Sequence, residues 1–375
     1  MKPAQSNTFP DTDEDAIPMT ERASESRLRI TYLIEDTDLS GGVRVSLAQA
    51  DALISRGHEV VIATKGLPLR WRRSNATWLH VDDFSEIDPS DFDFIVGTFW
   101  TTVPAAYELG KERAVHLCQG YEGSFTAYQQ LRREIDEAYS CPIPKIVVAP
   151  SLIPICERFG SEVLCVGQII DDEFYRDSAA AENDPLRVLL VGASQVDFKG
   201  IDVGYGAAAH ARYRGAEFGL VRVSPWRPSG EEPVEEIAAE FHVGLDAPAM
   251  ARLVHSCDIF LGSSRQQEGF GLPAAEAMAS MLPAVLTRIP SFLSFDARQD
   301  FALFADEDDA EGLGDCLFTM IENPAERARL RKRGREVAEQ FRSEHAGERL
   351  EKFFFQRREE LTAMADPQGR QNPRI

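Results

Sequence analysis

Glu268 and Glu276 stand eight positions apart in the stretch EGFGLPAAEAMA, with Gly269, Phe270, Gly271, Leu272 and Pro273 between them and alanines after. The apolar run DIFLGSS just before reads as a strand, and Pro273 suits the first turn of a helix. The amides of Phe270, Gly271 and Leu272 would then lack helical partners and lie at the positive end of the helix dipole. That is an anion site, fit for a diphosphate or for sugar hydroxyls. Gly269 and Gly271 allow a ligand to approach the backbone closely. Glu268 opens the loop, and Glu276 lies one turn into the helix, where a carboxylate can accept two hydrogen bonds from a vicinal diol such as a ribose. Phosphate on the amides, ribose on Glu276 and a sugar on Glu268 together describe a nucleotide sugar.

Such a loop needs a rigid frame, and the chain supplies one twice. RLRITYLI (Arg27–Ile34), EVVIAT (Glu59–Thr64), DFIVGTF (Asp93–Phe99), AVHLCQG (Ala114–Gly120) and KIVVAPS (Lys145–Ser151) read as strands, separated by helical stretches such as VRVSLAQADALISRGH. A polar stretch, Gly167–Leu186, interrupts the pattern. A second series follows with RVLLVG, GLVRVS, DIFLGSS and PAVLTR as strands, ending in a charged helical region from Pro324 to about Met364. Near-continuous apolar strands alternating with helices predict an α/β fold with two parallel, doubly wound halves. The expected boundaries are an acidic tail at 1–26, a first Rossmann-like domain at 27–170, a linker at 171–186, a second such domain at 187–345, and a helix and tail at 346–375 crossing back to the first domain. Ligands in such sheets bind beyond the carboxyl ends of the strands. That rule selects the loops Ser40–Gly42, Gln119–Gly123, Ser194–Gly200 and Ser263–Pro273.

With those loops placed, EGFGLPAAEAMA resembles the E-x7-E motif of the family-four retaining glycosyltransferases (glycosyl transferase group 1), and DIFLGSSRQQEGFGLPAAEAMASMLPAVLT resembles that family's signature throughout. LSGGVRVSLAQADALISRGHEV is similar to its glycine-rich first loop and helix, VVAPS to the strand and serine before its linker, and Lys199–Gly200 to its donor-phosphate loop; the likeness covers roughly residues 28–345. It implies the GT-B fold, two Rossmann-like domains facing a central cleft, with the acceptor on the first domain and a nucleoside-diphosphate sugar on the second. It also implies hexosyl or deoxyhexosyl transfer to a glycan, a lipid-linked or a small-molecule acceptor, with no cofactor or metal. By the resemblance Glu276 binds the donor ribose, Glu268 contacts the transferred sugar, the amides of Phe270–Leu272 hold donor hydroxyls or phosphate, and Lys199 neutralises the diphosphate. Gly41 and Gly42 let the first domain close over the phosphates. His116 is placed near the transferred sugar, with a satisfied core histidine as the other reading and Gln119 or Glu122 as substitutes for the role. Two departures stand out. Ala193 occupies the position where the family has a phosphate-binding arginine, unless Arg265 or Arg222 reaches in, and Gly167–Ile170 loosens the stretch before the linker. They keep open a non-catalytic binding protein on the same fold; a nucleotide-sugar epimerase is the third reading.

Composition narrows the field further. The formal net charge is −21, with 61 acidic residues against 40 Lys plus Arg, a field that disfavours nucleic acid. No apolar run reaches the length of a membrane span, and the polar N-terminus has no secretory h-region, so a cytoplasmic protein is expected. LPLRWRR (Leu67–Arg73) is either a solvated loop or a peripheral contact with a lipid surface or lipid-linked acceptor. The six cysteines form no C-x-x-C pair and read as free thiols. DTD (Asp36–Asp38) and DFD (Asp91–Asp93) read as polar loop residues rather than metal ligands, and GYGAAA falls inside a helix, where a dinucleotide turn has no place.

Overall fold

The computed structural model describes residues 27–365 except 39, 68, 70, 229–231 and 233–237. The tails expected at 1–26 and after 365 lie outside the described residues. The first sheet contains β1 (Arg29–Ile34), β2 (Glu59–Thr64), β3 (Thr77–His80), β4 (Phe94–Gly97), β5 (Ala114–Cys118), β6 (Lys145–Val147) and β7 (Val163–Cys165). The second contains β8 (Leu186–Val191), β9 (Phe218–Ser224), β10 (Glu240–Val243), β11 (Ile259–Gly262), β12 (Ala284–Thr287) and β13 (Ala302–Ala305). Strand orders are β3-β2-β1-β4-β5-β6-β7 and β10-β9-β8-β11-β12-β13, with every pairing parallel. In both sheets the order reverses beside the first strand, which opens a crevice at that point.

The central strands are apolar on both faces because helices cover both. β4 and β5 are buried along their whole length, as are β11 and β12. The exposed edges, β3 (TWLH) and β7 (VLC), carry no such pattern.

The helix Gly41–Ser55 follows β1. Ser40 caps it, its side chain accepting from the Val43 amide. The final helix, Ser343–Ala365, returns to the first domain. Phe354 packs on Phe94 of β4 with ring centroids 5.0 Å apart, and Glu351 pairs with Arg56 and His58. The charged region after Pro324 is two helices, Pro324–Ala338 and Ser343–Ala365, joined by a short 3-10 turn. No described helix is long and apolar enough to cross a membrane.

Candidate functional site

The helix Leu272–Ala279 begins at Gly271, whose φ of +93° is a left-handed conformation that glycine adopts without strain. A Cβ there would lie 2.3 Å from the Phe292 ring. The helix has no side-chain cap and carries proline in its first turn, so its first amides are left for a ligand. Phe270 does not face the ligand side. Its ring is buried against Phe295 and Phe341, at 4.9 and 5.1 Å between centroids, and anchors the loop.

Glu268 opens the loop and meets Lys199 across it. The Lys199 Nζ donates to Glu268 Oε2 at 2.6 Å, and the Ser264 hydroxyl donates to the same oxygen at 3.0 Å. Lys199 is held there by a tight turn after β8, in which Gly200 has a φ of +56° and packs so closely on Ser263 that a Cβ would stand 2.0 Å from its carbonyl oxygen. A cation and a carboxylate thus share one spot at the carboxyl ends of β8 and β11.

The first domain meets this loop directly. A Cβ on Gly269 would lie 2.0 Å from the Gln119 carbonyl oxygen, so the two backbones are in contact. The Gln119 side chain donates from Nε2 to the Gly42 carbonyl at 3.2 Å. Gly41 faces Leu272, with 3.8 Å between the position a Cβ would take and Cδ1. Three of the four loops selected by topology therefore converge with the loop of Lys199, whose neighbour Phe198 stacks on Phe125 at 4.8 Å.

Glu276 is 2% exposed and paired with a residue that no sequence motif marked, Arg44 of the first-domain helix. Arg44 Nη1 stands 2.5 Å from Glu276 Oε1, while its Nε and Nη2 donate to Asp171 at 3.0 and 2.9 Å. Arg72 holds the other oxygen of Asp171 at 2.9 Å and donates to the Arg44 carbonyl at 3.2 Å. Burial pushes the Glu276 carboxyl up to about 7, outweighing the pull of the Arg44 guanidinium, with Asp171 adding to the rise. The signal for Arg44 was a charge in the first turns of a helix whose other inward positions are mostly apolar and carry no other charge. Its partners in another domain and in the linker leave no mark in local pattern.

His116 is not brought to this place. It lies within β5, 1% exposed, its ring edge-on to Tyr139 at 4.7 Å. Burial first, and Lys145 second, push its pKa down to about 3, so it is a neutral core residue. The strand delivers Gln119, three positions on, to the interdomain contact instead. Glu122 is buried beneath that loop, accepts from the Tyr139 hydroxyl at 2.6 Å, and is pushed up to about 7 by desolvation.

Neither arginine named as a substitute at Ala193 is free. Arg265 is spread over Asp197, Asp202 and Asp308. Arg222 is fully buried and pairs with Glu232 at 2.8 Å. Ala193 itself is buried, 3% exposed. The Asp36 carboxylate accepts from the Asp38 amide at 3.0 Å, a local turn, and all six cysteines are free thiols. A shallow hollow of about 660 Å³ lies by Gln129, Arg133 and Ser140 and includes none of the loop residues above.

Comparison with known proteins points the same way. Residues 235–337, which contain both glutamates, match the family model of the glycosyl transferases group 1. That segment is similar to the glycosyl transferases group 1. The MMP α-(1→4)-mannosyltransferase of Mycolicibacterium hassiacum is 30% identical over 163 residues, 40% of this chain and 38% of its own length. The chain therefore spans well under half of that curated relative. Among solved structures, HepE of Anabaena in complex with UDP and glucose superposes with a TM-score of 0.68 at 12% identity, covering 88% of this chain and 99% of that one. Sucrose-phosphate synthase of Thermosynechococcus elongatus gives 0.66 at 16% identity, covering 88% and 99%. The two parallel-sheet domains are the GT-B fold.

Proposed function

We propose that the protein transfers a sugar from a nucleoside-diphosphate donor to a carbohydrate, lipid-linked or small-molecule acceptor, with retention at the anomeric carbon and without a metal. The observation that carries this reading is the convergence at one interdomain gap of Lys199, Glu268, an uncapped helix start and Glu276. A segment similar to group 1 on a GT-B frame, and a structural neighbour crystallised with UDP and glucose, support it.

In this reading the diphosphate lies on the amides of Phe270–Leu272, with Lys199 beside it, and the ribose diol takes the Glu276 carboxylate. Glu268 receives hydroxyls of the transferred sugar once Lys199 turns to the phosphate. Cleavage of the bond from the anomeric carbon to the β-phosphate oxygen leaves negative charge on the nucleoside diphosphate, and Lys199 and the amides stabilise it as it develops. The acceptor hydroxyl attacks from the face the phosphate leaves, and its proton passes to the departing phosphate oxygen, so the configuration is kept. Arg44 occupies Glu276 in this structure, so donor binding replaces an internal ion pair with a ribose contact.

Ala193 favours a second reading, a nucleotide-binding protein without efficient transfer, because Lys199 faces the diphosphate without the second cation. A panel of UDP- and GDP-sugars, assayed for released nucleotide and followed by calorimetry, separates the two. Turnover that falls in Glu276→Ala supports transfer, and binding without release of nucleotide supports the second reading. A turnover unchanged by Glu276→Ala refutes the assignment.

A further inference from the structure

Five aromatic side chains run in contact from the first domain to the reacting centre, and the donor reading uses none of them. Trp100 and Phe99, in the loop after β4, have ring centroids 6.0 Å apart. Phe99 meets Tyr128 at 6.2 Å, Tyr128 meets Phe125 at 6.2 Å, and Phe125 crosses the gap to Phe198 at 4.8 Å. The last ring lies under Lys199, whose Nζ is 5.3 Å from the Phe198 centroid. All five are only half-buried, in a chain whose remaining phenylalanines are mostly core residues. They stand on loops beyond the carboxyl ends of β4, β5 and β8, where ligands of such sheets sit. Exposed apolar groups scattered singly need no explanation, whereas a connected strip leading into a cleft marks a binding surface.

We propose that the strip Trp100–Phe99–Tyr128–Phe125–Phe198 is the acceptor subsite, and that it takes a neutral glycan whose pyranose faces stack on the rings. This rests on the reading of the gap as a sugar-transfer centre. Aromatic faces are electron-rich, and the axial C–H bonds on one face of a pyranose present weakly positive hydrogens, so the two surfaces match in shape and polarity. Hydroxyl-binding groups rim the strip: Thr101 donates to Glu35 at 3.0 Å, and Gln129 and Gln130 are exposed next to Tyr128. A neutral saccharide finds hydrogen-bonding partners along the rim and apolar rings along the floor. The strip ends at Phe198, so a hydroxyl of the terminal residue stacked there would lie next to the Lys199–Glu268 pair.

The test uses the full chain with saturating UDP or GDP. Saturation-transfer NMR and competition titrations are run with methyl α-D-mannoside, methyl α-D-glucoside, methyl α-L-rhamnoside and the corresponding disaccharides. Trp100→Ala and Tyr128→Ala should each weaken the best glycoside about threefold to tenfold, in keeping with the worth of one aromatic contact. Tyr128→Phe should restore binding, nucleotide affinity should stay within about twofold, and Tyr213→Ala, an aromatic 90% exposed on another surface, should do nothing. The proposal falls if nucleotide binds but no glycoside does, or if Trp100→Ala and Tyr128→Ala leave glycoside affinity unchanged. It also falls if they lower only the melting temperature or nucleotide affinity, the result for rings that merely fasten the domains together. A loss confined to binding of phosphatidylglycerol vesicles overturns it in favour of a lipid surface. Failure of any nucleotide to bind would instead overturn the transfer reading itself.

Discussion

Replacing Glu276 with Gln should make the unliganded protein more stable at alkaline pH and hardly change it at acid pH. The Glu276 carboxyl is 2% exposed and pushed by burial from an ordinary 4.5 up to about 7. A carboxyl whose folded pKa is raised holds its proton more tightly in the folded state. Its contribution to stability is full below the unfolded value and is lost as pH rises through the folded one. A tenfold difference in proton affinity between the folded and unfolded chains is worth about 1.4 kcal/mol, so between pH 5 and pH 8 the wild type should lose roughly 2–3 kcal/mol on account of this residue alone. Gln keeps the shape and does not titrate, and Arg44 keeps its bonds to Asp171. The stability gained by Glu276→Gln relative to wild type should therefore grow by that amount over the interval. In a domain of this size that is roughly 5–10 °C in the difference between the two melting temperatures. Calorimetric melts of both proteins at pH 5, 6, 7 and 8 measure it. A difference that stays flat across the four values would refute the claim that burial raises the proton affinity of this carboxyl in the folded protein.

Other predictions concern the same gap. Arg44→Met removes the guanidinium that opposes the rise of the Glu276 pKa, so the pH midpoint of nucleotide binding should move upward, as read by calorimetry across pH 6–9; a midpoint unchanged or lowered would contradict the pairing. Lys199→Ala should cut turnover by about 10²–10³, the usual worth of one group that stabilises leaving-group charge, with the melting temperature changed by only a few degrees. Gly269→Ala should damage the protein far more than Gly120→Ala. The first puts a Cβ 2.0 Å from a backbone oxygen of the other domain, whereas the second meets only ordinary contact with Phe125 at 3.5 Å. Steady-state kinetics should show Gly269→Ala losing turnover and Gly120→Ala near wild type.

The fold was legible where burial on two faces makes strands continuously apolar. EVVIAT is β2 to the residue, and both central sheet regions fell where the pattern put them. The edge strands β3 and β7 went unread because each has a solvated side and too few residues to show a period. β13 and the helix Ala310–Glu322 lie between PAVLTR and the charged region that starts at Pro324, a stretch to which the sequence reading assigned no elements. The E-x7-E loop and Lys199 could be placed because helix starts, glycines and strand ends are local signals. His116 was harder, since an apolar strand gives no indication of which polar residue at its end leaves the core. The strand ends at Cys118, and Gln119 is the first residue to face the gap. Arg44–Glu276 joins residues 232 positions apart (276 − 44) through the closure of two domains, and no periodicity in one sequence carries that.

Whether Glu276 holds the ribose of a nucleotide donor at the gap decides the rest. The most direct measurement is calorimetric titration of UDP and GDP into the wild type and Glu276→Ala at pH 8, where the carboxylate is ionised. One of the two nucleotides should bind the wild type, and the variant should bind it at least about tenfold more weakly with its fold intact. Equal affinity in the two proteins, or no binding of either nucleotide by the wild type, would contradict the account.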